Sequence, residues 1–144
     1  MSLAVLSAGC GSLGPSDDPG RRQLADQRQQ WATAGIATYE YVVRNTCFCT
    51  LSGQDVRVTV VSGVVTARTV VETGEPVPAA STSSYRTIPA LFDVIQDAFD
   101  RDAADVQVQY DFDYGFPAFV YIDYDPGKAD EHFGWTVVSF TPGT

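Results

Sequence analysis

The chain predicts an α+β fold in the order α-β-β-β-α-β-β-β, with one antiparallel sheet of about six strands and two helices packed on one of its faces. Three observations carry this. Two segments have helical periodicity behind clear start signals, and six short segments are rich in β-branched and aromatic residues. The strands also come in two runs of three instead of alternating with helices, which favours antiparallel meanders over parallel crossovers. With 44% hydrophobic residues and 12% aromatics, the chain has enough apolar surface to fold and is not of the disordered class.

Asp18-Pro19 opens the first helix, with Asp18 as N-cap and Pro19 at the first helical position. Good helix formers follow to residue 34, with Leu24, Trp31 and Ala34 as a thin apolar stripe and Gly35 as a stop. Tyr39 to Asn45 alternates and reads as a strand. Asp55 to Val61 and Val64 to Val71 are two more, joined by the two-residue turn Ser62-Gly63. In that register Val56, Val58, Val60, Val65 and Ala67 share an apolar face. Arg57, Thr59, Thr66 and Arg68 share the wetter one, with Arg57 opposite Arg68. Glu72 to Arg86 is a long polar loop, expected to be a mobile surface segment or part of a site. Thr87 caps the second helix, which has Pro89 in its first turn and Leu91, Ile95, Ala98 and Phe99 at helical spacing. Val106 to Tyr110, Pro117 to Asp123 and Gly134 to Phe140 complete the second meander, with a turn at Asp111 to Phe116.

The N-terminus has a different character. An apolar run (Leu3, Ala4, Val5, Leu6) leads through Ser7, Ala8 and Gly9 to Cys10, followed by Gly11 and Ser12. This is the shape of a bacterial lipoprotein processing site: a signal peptide and lipobox over residues 1–9, removed to leave a diacylglycerol on the Cys10 thiol. Residues 10–20, rich in Gly, Ser, Pro and Asp, read as a flexible tether, and residues 21–144 as a single domain. The expected location is the extracytoplasmic face of a bacterial cell membrane, with the membrane a partner through the lipid.

Charge is unevenly spread. Residues 1–92 hold seven basic and seven acidic side chains, while the eleven acidic residues that follow meet only Arg101 and Lys128. The net charge of -9 thus resides in the second half, which argues against nucleic acid as a partner. Three cysteines are accounted for if Cys10 is acylated, leaving Cys47 and Cys49 as a pair. On a regular strand such residues point the same way, roughly 6–7 Å apart, so a bridge between them requires a bend at Phe48. The pair suits a structural disulfide, buried thiols, a redox centre, or soft-metal ligands with few others to help.

Asp123, Asp125, Asp130 and Glu131 surround Pro126-Gly127, and the second meander brings Asp105 and Asp102 toward the same end. They form either a solvated turn or a calcium loop, although the spacing does not follow the EF-hand pattern. The lone His132 is expected in an exposed loop, and no catalytic triad can be assembled from it. Arg44, Arg57 and Arg68 are expected to pair with neighbouring carboxylates or to bind an acidic ligand. Tyr114 and Phe116, in a turn, are the candidate exposed contacts for a partner.

An ordered set of features spans Gln30 to Phe140: Trp31, Tyr39-Glu40-Tyr41, Cys47-Phe48-Cys49, the Ser62-Gly63 hairpin, Thr87 to Asp93, Tyr110-Asp111, Gly115-Phe116-Pro117, Ile122-Asp123 and Asp130-Glu131. This set resembles an uncharacterised family of small bacterial lipoproteins, the domain of unknown function DUF6174. The resemblance implies an anchored, extracytoplasmic location and carries over no activity. The functional expectation is a non-enzymatic, membrane-anchored binding module that needs no cofactor and engages an envelope protein. The alternatives are a thiol–disulfide protein using Cys47 and Cys49, and a calcium-binding module using the Asp123 to Glu131 loop.

Overall fold

Asp18 accepts a hydrogen bond on its side chain from the Arg21 amide, so the helix that follows, α1 (Pro19–Ala34), starts on a satisfied cap with proline where no amide is needed. It ends at Gly35, whose φ of 65° closes the last turn through a bond to the Ala32 carbonyl. The computed structural model describes Gly14 and residues 18–143; Cys10 and most of the expected tether lie outside the described residues. The remaining elements are β1 (Tyr39–Thr46), β2 (Asp55–Val61), β3 (Val64–Val70), a short 3-10 helix (Ala79–Ser84), α2 (Ile88–Asp100), β4 (Asp105–Tyr110), β5 (Pro117–Asp123) and β6 (His132–Pro142). The chain is therefore α+β in the expected order.

All six strands form one antiparallel sheet in the order β3-β2-β1-β6-β5-β4. Each meander keeps its own sequence order, and the two are joined by β1 lying against β6, from Tyr39 opposite Pro142 to Thr46 opposite Gly134. Alternation along the strands decides the rest. Tyr39, Tyr41 and Val43 of β1, Val56, Val58 and Val60 of β2, Val120 and Ile122 of β5, and Trp135 of β6 all enter the core. They meet Leu24 and Trp31 of α1 and Ile88, Leu91, Phe92, Ile95 and Ala98 of α2. Trp31 packs edge-on against Tyr39, Phe116 and Phe140, which ties α1 to both meanders. The helices run antiparallel to each other, since Arg21 pairs with Asp100 at 2.6 Å and Arg28 with Asp93 at 2.8 Å. Arg21 also reaches the Phe99 carbonyl near the end of α2. Ala34, expected in the apolar stripe, is exposed.

The β2–β3 hairpin corrects the expected register. Its turn is as predicted, with Ser62 and Gly63 both at positive φ and Val61 opposite Val64. Thr66 then bulges out: Val60 pairs with Val65, but Thr59 pairs with Ala67 and Val58 with Arg68. One extra residue moves every later side chain of β3 to the other face. Ala67 leaves the apolar face and Arg68 joins it, so Arg57 lies opposite Thr69 and not opposite Arg68. Arg57 pairs with Glu40 at 3.1 Å and Arg44 with Asp55 at 2.8 Å. Arg68 instead donates from Nε to the Tyr85 carbonyl at 2.7 Å.

That bond belongs to a structured strap. The stretch from Glu72 to Arg86 doubles back along the open edge of β3, with Val70 N–H bonded to the Glu75 carbonyl and Val77 N–H to the Arg68 carbonyl. Val77 and Tyr85, two of its own residues, are buried and anchor it. The loop expected at these residues is thus hydrogen-bonded to β3 along part of its length. The strap covers the Arg68–Val70 end of a sheet edge that would otherwise present unpaired backbone groups, and it delivers Ser84 and Arg86 to the cleft described next.

Candidate functional site

At the end of β1 the backbone must leave the sheet. It does so through three bent residues, Cys47, Phe48 and Cys49, as a bridge between the two cysteines requires. Their Cα atoms are 5.2 Å apart and their sulfurs are bonded. A bridge closing three residues adds only about 1.5 kcal/mol in the chain-entropy account, below the usual range. The loop is held by other means as well. Ser52 N–H bonds the Cys49 carbonyl, Gly53 N–H the Asn45 carbonyl and Gln54 N–H the Leu51 carbonyl, while Cys47 N–H donates to Ser52 Oγ. Leu51 is buried in the core. Phe48, at the tip, is 91% exposed.

The bridge forms one wall of a cleft of about 200 Å³. Leu91 and Val94 of α2 and Phe133, Gly134 and Trp135 of β6 supply its apolar lining; Asn45, Ser84 and Arg86 supply polar groups. The geometry is fixed from several directions. Asn45, buried, donates from Nδ2 to the Ser84 carbonyl at 3.2 Å. The Tyr41 hydroxyl donates to the Arg86 carbonyl, and burial holds that phenol well above its ordinary pKa. Trp135 donates its indole N–H to the Pro117 carbonyl at 3.0 Å, so its ring is locked in place. Gly134 is required: a Cβ there would lie 2.0 Å from the Val120 carbonyl oxygen of the adjacent strand.

A second, wider cleft of about 510 Å³ shares Arg86, Val94 and Phe133 and extends along α2 to Arg101 and Tyr124. Its carboxylates are neutralised. Asp93 pairs with Arg28, and Asp97 with Arg101, whose guanidinium also sits 4.4 Å over the Tyr124 ring. Arg86 differs. Its Nε donates to the Ser83 carbonyl, and among the described residues no carboxylate forms an ion pair with it, despite the acidity of the chain.

The other expected site residues are placed as follows. Asp111 Oδ1 accepts from the amides of Asp113 and Tyr114, and Gly115 at φ 78° turns the chain inward. Phe116 is consequently 4% exposed, a core residue and not a surface contact. Tyr114 is half-buried, 5.2 Å from Phe140 between ring centres. The exposed aromatic of that turn is Phe112, at 93%. Asp105 does lie opposite Asp123 across β4 and β5. Asp123 is nearly buried, and its Oδ1 accepts from the Asp125 amide. Asp125 and Glu131 share Lys128 at 3.6 and 3.9 Å, and Asp130 is exposed. Among the described residues, no three His, Cys, Asp or Glu side chains are grouped to hold a metal ion. His132 is not in a loop: it begins β6, half-buried, opposite Asp123 and stacked on Tyr121.

Sequence reasoning found the cysteine pair but not its surroundings. Asn45, Arg86 and Trp135 come from β1, the strap and β6, and no spacing in the chain announces their meeting. No curated protein and no solved structure matches the chain. A family model described as a family of unknown function, DUF6174, matches residues 23–142, and the chain belongs to that family.

Proposed function

We propose that the chain is a binding domain without catalytic turnover, held at the extracytoplasmic face of a bacterial membrane by a lipid on Cys10, and that it takes an envelope protein at the cleft beside Cys47 and Cys49. The anchoring part is supported by the apolar run Leu3 to Leu6 and the small residues leading to Cys10. Among the described residues, no helix is long and apolar enough to cross a membrane. One observation carries the binding part: an apolar concavity whose lining side chains are fixed by packing and hydrogen bonds, with a cation on its wall that has no acidic mate among the described residues. Such a surface combines pre-organisation with one oriented polar group, the usual composition of a ligand site.

The test has two parts. Mass spectrometry of the mature N-terminus is expected to find a diacylated Cys10. A photo-crosslinking residue at Val94 is expected to capture a discrete envelope protein in living cells, whereas the same residue at Thr59, on the opposite face of the sheet, captures none. Equal labelling from both positions would refute the assignment of the cleft.

A further inference from the structure

We infer that the Cys47–Cys49 bridge is a thiol-exchange site with a fixed polarity, accepting two electrons from a cysteine pair on the polypeptide that occupies the cleft. The inference rests on the reading of the cleft as a docking place and goes beyond it by naming the partner's chemistry.

Three observations meet here. The first is redundancy. The turn from Cys47 to Gln54 is held by four hydrogen bonds and by the burial of Leu51, none of which uses a sulfur atom. Opening the bridge leaves these in place, so the fold tolerates both redox states. The second is access. Cys49 is exposed and Cys47 half-buried, and both line the cleft on one side and a shallow surface depression with Phe48 and Thr50 on the other. Accessible bridges are the ones that exchange, and a thiolate reaches the exposed sulfur first. The third is the charge of the cleft. Among the described residues Arg86 is the one charged side chain lining it, and a cation in the cleft that both cysteines line favours a released thiolate over a thiol. Phe48, protruding beside the bridge, gives a polypeptide an apolar contact as it approaches.

The step balances without a further reagent. The partner's first thiol, deprotonated, attacks Cys49 Sγ. The Cys47–Cys49 bond breaks, and Cys47 departs as a thiolate into the cleft that Arg86 also lines. The partner's second thiolate then attacks its own mixed-disulfide sulfur and releases Cys49. The partner leaves as a disulfide, Cys47 and Cys49 as thiols, and the two protons lost by the partner return to them. One chain oxidises one partner.

The experiment uses the oxidised protein with two reductants: dithiothreitol, and an excess of a synthetic peptide carrying two cysteines separated by two residues. Free thiols are counted on protein and peptide by alkylation and mass spectrometry. More than half of the chains are expected to be reduced by the peptide, with equimolar peptide disulfide formed. Val94→Gln, in the cleft wall, slows the peptide reaction several-fold and leaves the dithiothreitol reaction unchanged. If exchange proceeds with both reductants but Val94→Gln changes neither rate, the docking reading fails. If the bridge stays closed to both, the exchange inference fails. Polarity is read from the mixed disulfide trapped when the oxidised protein meets a single-cysteine peptide: tandem mass spectrometry is expected to find the peptide on Cys49 several-fold more often than on Cys47. Equal occupancy of the two, or a preference for Cys47, would overturn the polarity. A reading on the unmutated protein stands beside these: reduction is expected to lower the melting temperature by no more than about 5 °C, and a loss beyond about 10 °C would make the bridge a structural staple.

Discussion

The hydroxyl of Tyr39 accepts a hydrogen bond from the backbone amide of Ile88 at 2.7 Å, inside the core and across 49 residues of sequence. A side chain from the first strand thereby satisfies a donor at the start of the second helix, next to the Thr87 cap, which accepts from Ala90. Tyr39→Phe removes the acceptor and leaves a buried N–H without a partner. The expected cost is about 1–3 kcal/mol, read from urea denaturation. Tyr39→Leu costs more, because the ring also packs against Trp31 and Phe140.

The same burial makes the protein sensitive to alkali. Burial raises the phenol pKa of Tyr39, Tyr41 and Tyr85, and pushes that of Tyr110 up to about 12. In the unfolded chain these groups ionise near pH ~10. A folded-state pKa above the unfolded one gives stability that is complete below pH ~10 and is lost as pH rises through the folded values. Denaturation midpoints should hold level up to that point and then fall steadily. Tyrosinate absorbance should appear at higher pH in the native protein than in urea. A native titration superimposed on the unfolded one would contradict the burial of these rings.

Gly134→Ala is expected to destabilise the sheet by at least about 3 kcal/mol, because the new methyl meets the Val120 carbonyl, a backbone atom that cannot rotate away. Gly63→Ala is the control. Its φ of 79° also disfavours a side chain, but no atom lies within 4 Å, so the penalty there is conformational, about 1 kcal/mol. Thermal melts of the two variants separate the effects.

Arg68→Met tests the strap. It deletes the bond to the Tyr85 carbonyl while keeping the length of the side chain. A loss of about 1.5–3 kcal/mol is expected, with faster proteolytic cleavage between residues 72 and 86 as the local signature.

Phe112 and Phe116 form a matched pair in one turn. Phe116→Ala empties a core position and should cost about 3–5 kcal/mol, whereas Phe112→Ala, on an exposed ring, should stay within about 0.5 kcal/mol. Comparable losses for both would mean that the turn is placed wrongly.

These two rings also mark where the sequence was readable. Elements defined by local chemistry were legible: Asp18 with Pro19, Thr87 with Pro89, Gly35, and the Ser62-Gly63 turn all act within a few residues of themselves. The facing of Asp105 and Asp123 followed from a simple meander. What escaped depended on single-residue insertions and on distant partners. The Thr66 bulge inverts half of β3 with no glycine to announce it. The inward path of Phe116 follows from Gly115, a residue that the turn reading passed over. The strap looked like a polar loop because its anchors, Val77 and Tyr85, are two apolar residues among small and polar ones. The cleft was least visible of all. Its cysteines stand out in the chain, but Arg86 and Trp135 reach them only through the strap and the pairing of β1 with β6.

That pairing has a consequence for how the molecule comes into being. β1 and β6 sit side by side at the centre of the sheet, yet residues 47–131, more than half of the chain, lie between them. A ribosome releases the N-terminal meander long before residues 132–142 emerge, and until then β1 has an unpaired inner edge. Closure of the sheet must wait for the last strand, a high-contact-order arrangement that folds slowly. The N-terminal meander therefore keeps an open inner edge until residues 132–142 have emerged, a state exposed to mispairing with other chains.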